Sequence, residues 1–300
     1  MIAMYALFTK TFAAFFLLLV LAFPAPLIAD QAVQPPQASP GDYASSIGDA
    51  FVGEELAYDI GFWFFSGVAE SRLVLKEDGP GRYVATLSAK TNGVVDTILK
   101  HRRDRYVARF RVSEDGRRFL TESFEKEVEI DGKGIRRSVH TVDYGARTVS
   151  SRSWGGGKPE KNTFDKIPDG MYTDDPLAAF YNFRFGVYGS IDEGKDYKIL
   201  TLPKDDRIPE ILIRVAHEKE LRRKSGRTDA AILADAKIDK ELFGSKNGDI
   251  EILFTREMLP VQAIAKGILL FGDVKGKLRE VVSGGAAKKT SIQPSVSSNP

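Results

Sequence analysis

Between residues 53 and 75 the chain alternates apolar with polar or small residues, a pattern that a paired β-strand satisfies and a helix does not. Leu56, Tyr58, Ile60, Phe62 and Phe64 interleave with Ala57, Asp59, Gly61, Trp63 and Phe65. After Ser66-Gly67 the alternation resumes through Leu73 and Leu75. A period of two over this length predicts a β-hairpin with one apolar face. At its bend the aromatics point both ways, Trp63 and Phe65 opposite Phe62 and Phe64. A half-solvated sheet keeps such residues off its wet face, so this end calls for a cover: another sheet, a helix or a ligand.

The rest of the chain extends the pattern. Strands are expected at 82–91, 103–113, 117–130, 135–144 and 147–154, separated by Asp/Gly turns. Residues 94–100 read as one helical turn or the start of a strand. Thr173-Asp174-Asp175-Pro176 supplies a cap and a first-turn proline for a helix over 177–185, apolar on all sides and therefore buried. That helix is the candidate cover for the hairpin. Further strands are expected at 197–202, 210–216, 229–238, 249–255, 260–265 and 268–282. So many successive antiparallel strands are expected to roll up, because open sheets twist and expose edges. The fold class read from the sequence is therefore mainly β. It is a strongly curved antiparallel sheet, a half-open or closed β-barrel, with one principal helix packed in or over its concave face. Such a fold encloses an apolar concavity.

Residues 1–29 have the form of a secretory signal. Lys10 precedes the uninterrupted apolar run 12–23, Pro24 and Pro26 break the helix, and Leu27-Ile28-Ala29 offers a cleavage site before Asp30. The run is shorter than the roughly 20 residues that span a bilayer. Cleavage after Ala29 and a periplasmic, soluble mature protein are expected. Residues 30–50 read as a disordered leader, 51–282 as a single β domain and 283–300 as a disordered tail. With no cysteine there is no disulfide, thiol catalysis or lipid-anchored cysteine, and a net charge of +2 with export disfavours nucleic acid.

Signals for chemistry are few. His101, His140 and His217 are far apart without metal-ligand spacing, and no nucleophile elbow or phosphate loop is present. Asp174-Asp175 is explained by capping, Asp205-Asp206 by a turn, and Glu125, Glu127 and Glu129 by the wet face of a strand. No cofactor or metal is called for, and the protein is expected not to be an enzyme. Arg103, Arg105, Arg109 and Arg111 share one strand face opposite Tyr106, Ala108, Phe110 and Val112. This is either a solvated face paired with the glutamate row or a surface for anionic headgroups or a protein, for which arginine's bidentate geometry suits. Arg103, Arg105 and Arg109 are the candidate anionic contact. Phe62, Trp63, Phe64, Phe180, Phe183, Leu269 and Phe271 are the candidate lining of the concavity, with the apolar stretch 267–272 placed in the core or at that lining.

These residues together resemble the DUF3108 family, exported bacterial proteins of unknown function. The resemblance rests on Gly53-Glu54-Glu55-Leu56-Ala57-Tyr58 and Ser66-Gly67-Val68-Ala69. It continues in Asp175-Pro176-Leu177, Phe180-Tyr181-Asn182-Phe183-Arg184, Leu253-Phe254-Thr255 and Leu259-Pro260-Val261. It implies a sheet with a helix in its mouth, similar to the LolA/LolB-like lipoprotein carriers, and implies no catalytic residue. The expected function is a periplasmic carrier with an apolar concavity for a lipid or lipid-like ligand or a lipoprotein, with peripheral membrane contact. The alternatives are an envelope protein–protein interaction or structural module without a ligand, and a hydrolase whose carboxylates assemble only in the fold.

Overall fold

The computed structural model describes residues 44–203, 209–226, 229–238, 245–268 and 271–282. The expected signal and cleavage site, most of the leader, the tail, Leu269 and the Asp205-Asp206 turn lie outside the described residues.

A short helix, α1 (Ile47–Phe51), precedes a first run of strands: β1 (Glu55–Phe62), β2 (Phe65–Glu77) and β3 (Arg82–Thr91). Helix α2 (Gly93–Ile98) leads into β4 (Arg103–Val112), β5 (Phe119–Ile130), β6 (Gly134–Asp143), β7 (Thr148–Gly155) and β8 (Lys158–Lys166). Helix α3 (Pro176–Phe185) is followed by β9 (Asp196–Leu200), β10 (Glu210–Val215) and helix α4 (Glu218–Ser225). The chain then returns through β11 (Ile232–Lys237), β12 (Asp249–Phe254), β13 (Pro260–Ile268) and β14 (Gly272–Val282). Residues 94–100 thus hold a helical turn, and Leu221 to Lys224, a stretch of consecutive basic residues after a leucine, lies in α4. Ile47, assigned to the leader by its sequence, is fully buried in the core.

All strands join one antiparallel sheet of 14, in the order β8-β7-β6-β5-β4-β3-β2-β1-β14-β13-β12-β11-β10-β9. Two meanders, one from each half of the chain, meet where β1 pairs with β14, Glu55 opposite Val282 and Phe62 opposite Val274. Strands β8 and β9 are the two ends and do not pair with each other. This corrects the expected strongly curved sheet and barrel: the sheet is open. The expectation assumed that exposed edges force closure, but edges can also be blunted by charge, proline or brevity. Strand β8 carries Lys158, Pro159, Glu160 and Lys161, and β9 is only 5 residues long with Asp196 and Lys198 exposed.

The core lies on the face that receives α3. Asp175 caps the helix, its side chain accepting from the Leu177 and Ala178 amides at 2.8 and 3.2 Å. Gly186 ends it in the left-handed conformation, φ 82°. Nearly every residue between is buried, as all-round apolarity requires. Tyr181 packs on Phe119 of β5 at 6.0 Å, and Phe183 on Tyr197 of β9 at 5.4 Å and Phe254 of β12 at 6.2 Å. One helix therefore serves both halves of the sheet. On the opposite face α4 covers part of the second half of the sheet, Leu221 packing on Leu233 and Leu253. Over β1 to β5 that face is open, and there the polar members of each strand's alternation line up.

Candidate functional site

The register of β1 to β5 converts alternation along each strand into rows across the sheet. On the open face one row runs Ala57, Arg72, Ser88, Arg105, Glu127. The next runs Asp59, Glu70, Lys90, Arg103, Glu129. Ala57 and Ser88 are too short to fill their positions between long neighbours, so the sheet surface dips there. The result is an open groove of about 520 Å³ in which charges of both signs are interspersed, lined by Arg72, Lys90, Arg103 and Arg105 and by Glu70, Glu127 and Glu129. Arg279 of β14 also lines it.

Cross-strand ion pairs lace this face. Arg72 meets Glu55 at 2.6 Å, Lys90 meets Glu70 at 2.6 Å, and Arg279 meets Asp59 at 2.8 Å and Glu70 at 3.5 Å. The hydrogen bond from Lys90 is the main cause that holds the Glu70 carboxyl below the usual carboxylate range. Arg103 reaches Glu129 at 3.5 Å. Arg105 stands opposite Glu127, but that carboxylate is taken by Arg137 at 2.5 Å. Among the described residues Arg105 forms no ion pair or hydrogen bond. The groove thus presents one guanidinium with its donors turned to solvent, beside cations already committed to neighbours. A planar five-donor fork of this kind receives a carboxylate in two parallel hydrogen bonds.

The sequence-predicted arginines divide accordingly. Arg103 and Arg105 line the groove, whereas Arg109 lies farther down β4 and bonds Asp78. The aromatic set also divides. Phe62 is buried against Phe271 at 4.9 Å, and Phe183 lies in the α3 core. Phe180 is half-buried beside Arg184, whose guanidinium carbon is 5.0 Å from its ring centre. Trp63 and Phe64 are exposed. These side chains fill separate parts of the core or face solvent and enclose no shared apolar concavity. That, with the open sheet, overturns the lipid-carrier reading. The groove partners that the sequence reading passed over are Arg72, Lys90 and Glu70, although the alternation in β2 and β3 places them on the arginine face. Arg279 could not be found that way, because it meets Asp59 from 220 residues away.

The buried ionisable groups act in the core. Asp174 accepts from Arg118 at 2.8 and 2.9 Å, from Asn182 at 3.1 Å and from the Tyr188 hydroxyl. Asp175, capping α3, also accepts from Thr121 at 2.7 Å, and burial pushes its carboxyl up to about 7. Arg102 and Asp104 form a two-pronged pair at 2.7 and 2.8 Å beneath the groove floor. Burial raises the Asp104 carboxyl above its ordinary range. Among the described residues no cluster of His, Asp and Glu is placed to hold a metal ion.

No family model matches the chain, and no curated protein matches it. Among solved structures, the crystal structure of a beta-barrel-like protein of domain of unknown function DUF1849 from Brucella abortus aligns with 78% of this chain and 98% of its own. Identity is 13% and the TM-score 0.43, a level at which likeness carries no argument about ligand or partner. The resemblance to DUF3108, and with it the LolA/LolB-like architecture, is therefore not upheld. Several of the residues that suggested it are a helix cap, a proline in a first turn and aromatic core positions, roles that many folds share.

Proposed function

We propose that this chain is an exported, non-enzymatic interaction module whose open sheet face docks an acidic segment of an envelope protein. The observation that supports this reading is Arg105, uncommitted among the described residues and set in a groove of about 520 Å³ between other cations. The paired strand β4 fixes the Arg105 backbone, so docking orders a side chain but no loop, which lowers its entropic cost. Bidentate pairing at Arg105 selects carboxylate.

The test is cross-linking and affinity purification from cells producing wild type, Arg105→Glu or Arg109→Glu. The two reversals change charge equally, but only Arg105 lines the groove. A partner recovered with wild type and Arg109→Glu and lost with Arg105→Glu supports the reading. Equal recovery with all three overturns it. A synthetic glutamate-rich peptide gives a second measure: its affinity should drop at least tenfold with Arg105→Glu and fall as salt rises.

A further inference from the structure

The end of the sheet that holds the β1–β2 bend also carries the connections β3–β4, β5–β6 and β13–β14. Exposed apolar side chains gather there. Phe64 is 84% exposed, Trp63 61% and Phe65 48%, and on α2 Val94 is 77% and Ile98 55% exposed. Helix α2 is tied to the same hairpin, the Asn92 amide donating to the Val68 carbonyl at 2.8 Å. The β5–β6 turn joins this end through the Asp131 amide, which donates to the Lys100 carbonyl at 3.0 Å.

The turn chemistry of the bend is the second observation. Phe62 pairs with Phe65, leaving Trp63 and Phe64 as the two central residues of a tight hairpin. Trp63 has φ 50°, the left-handed region that a two-residue hairpin loop normally gives to glycine or asparagine. A bulky aromatic there costs stability, and its ring gains little burial in return. The indole lies over Gly272, where an added Cβ would stand 2.9 Å from its nitrogen. Lys133 in the β5–β6 turn and Lys275, opposite Gly61, form no ion pair among the described residues.

We propose that this end of the sheet contacts the surface of an anionic phospholipid bilayer. Trp63, Phe64 and Phe65 enter the interfacial zone, with Val94 and Ile98 beside them and Lys133 and Lys275 against the headgroups. Trp prefers that zone because its ring is apolar and its N–H finds a polar partner. Apolar insertion combined with cation–headgroup attraction is what holds peripheral proteins at such surfaces. Among the described residues no helix is long and apolar enough to cross a membrane. The contact is independent of the arginine groove, so either can fail alone.

Residues 12–23 are themselves apolar, so vesicle binding by the full chain does not decide the matter; the readout must be local to the bend. In a full-length Trp154→Phe background, Trp63 is the sole tryptophan. With phosphatidylglycerol vesicles its emission should shift to the blue and be quenched by lipids brominated near the headgroup. Phe64→Asn, which suits the turn and keeps the fold, should reduce that quenching severalfold, and high salt should weaken it. Trp63 equally open to aqueous iodide with and without bound vesicles overturns the proposal. So does protection of Trp63 that grows with protein concentration in the absence of lipid, which would make a second copy the occupant.

Discussion

Glu54 and Arg184, 130 residues apart in the chain, meet in a buried two-pronged ion pair, both hydrogen bonds 2.7 Å long. The Arg184 Nε–H also donates to the Met258 carbonyl at 2.8 Å, and the guanidinium lies 4.6 Å from the Phe51 ring centre. One side chain thus joins the entry to β1, the helix α3, the β12–β13 turn and α1. It holds the two halves of the sheet to the same helix.

Breaking this pair from one side leaves a charge buried without its counterion. Arg184→Met or Glu54→Met should therefore cost about 3–5 kcal/mol of unfolding free energy. Glu54→Met with Arg184→Met should cost less than the two single changes added together, because neither charge is then stranded. Urea denaturation of the four proteins measures the difference. Additive losses would show that the two residues act separately.

Burial lifts the Asp175 carboxyl from 3.8 to about 7, so the folded state keeps a proton that the unfolded chain releases. The stabilisation is complete below pH 4 and is lost as pH rises toward 7, by about 1.4 kcal/mol per unit. Asp175→Asn retains an acceptor for the Leu177 and Ala178 amides and has no proton to lose. The variant should gain on wild type across that window and run parallel to it above. Unfolding free energies from pH 3.5 to 8 test this; parallel curves throughout would refute it.

His140 behaves in the opposite sense. Burial lowers its imidazole from 6.5 to about 4, and it is hydrogen-bonded to Ser151 at 2.7 Å. The folded state rejects a proton that the unfolded chain accepts, so its contribution is complete above pH 6.5 and is lost as pH falls through 4. The His140 ring proton signals should not move between pH 5.5 and 8. His140→Gln should make stability less acid-sensitive, and a ring titrating near 6.5 in the folded protein would sink the idea.

At the bend, register slips between Ile60 and Phe62 of β1, leaving Gly61 against the main chain of β2. A Cβ on Gly61 would collide with the Phe65 carbonyl oxygen, which belongs to backbone and cannot swing away. Gly61→Ala should destabilise by about 1–3 kcal/mol, the range for forced overpacking. It should also speed hydrogen exchange at the hairpin tip. A variant as stable as wild type would place the bend elsewhere.

Much of the local structure was legible in single residues. The period-two run at 53–75 is a hairpin, Asp175-Pro176 starts a buried helix, and Arg103 and Arg105 face away from Tyr106. The β8 strand was not legible. Its residues are polar on both faces, and its one large apolar side chain, Phe164, is exposed, so no amphipathic alternation marks it. The aromatics of the bend misled in another way. They implied a cover, yet only Phe62 is covered, by Phe271, and the ring contacts of α3 among the described residues are with Phe51, Phe119, Tyr197 and Phe254.

What the amino-acid sequence determined by itself is the class of element at each place. Side-chain periodicity, caps and turn residues act over a few positions and need no distant partner. Sheet order, the freedom of both edges, the Arg279–Asp59 and Arg184–Glu54 pairs and the commitment of Glu127 to Arg137 were decided only in three dimensions. Each depends on which strands become neighbours, and strand pairing is set by the packing of the whole sheet rather than by any one strand. Arg105 is the clearest case. Its alternation put it on the open face, but that it stays uncommitted there follows from a carboxylate taken by the next strand.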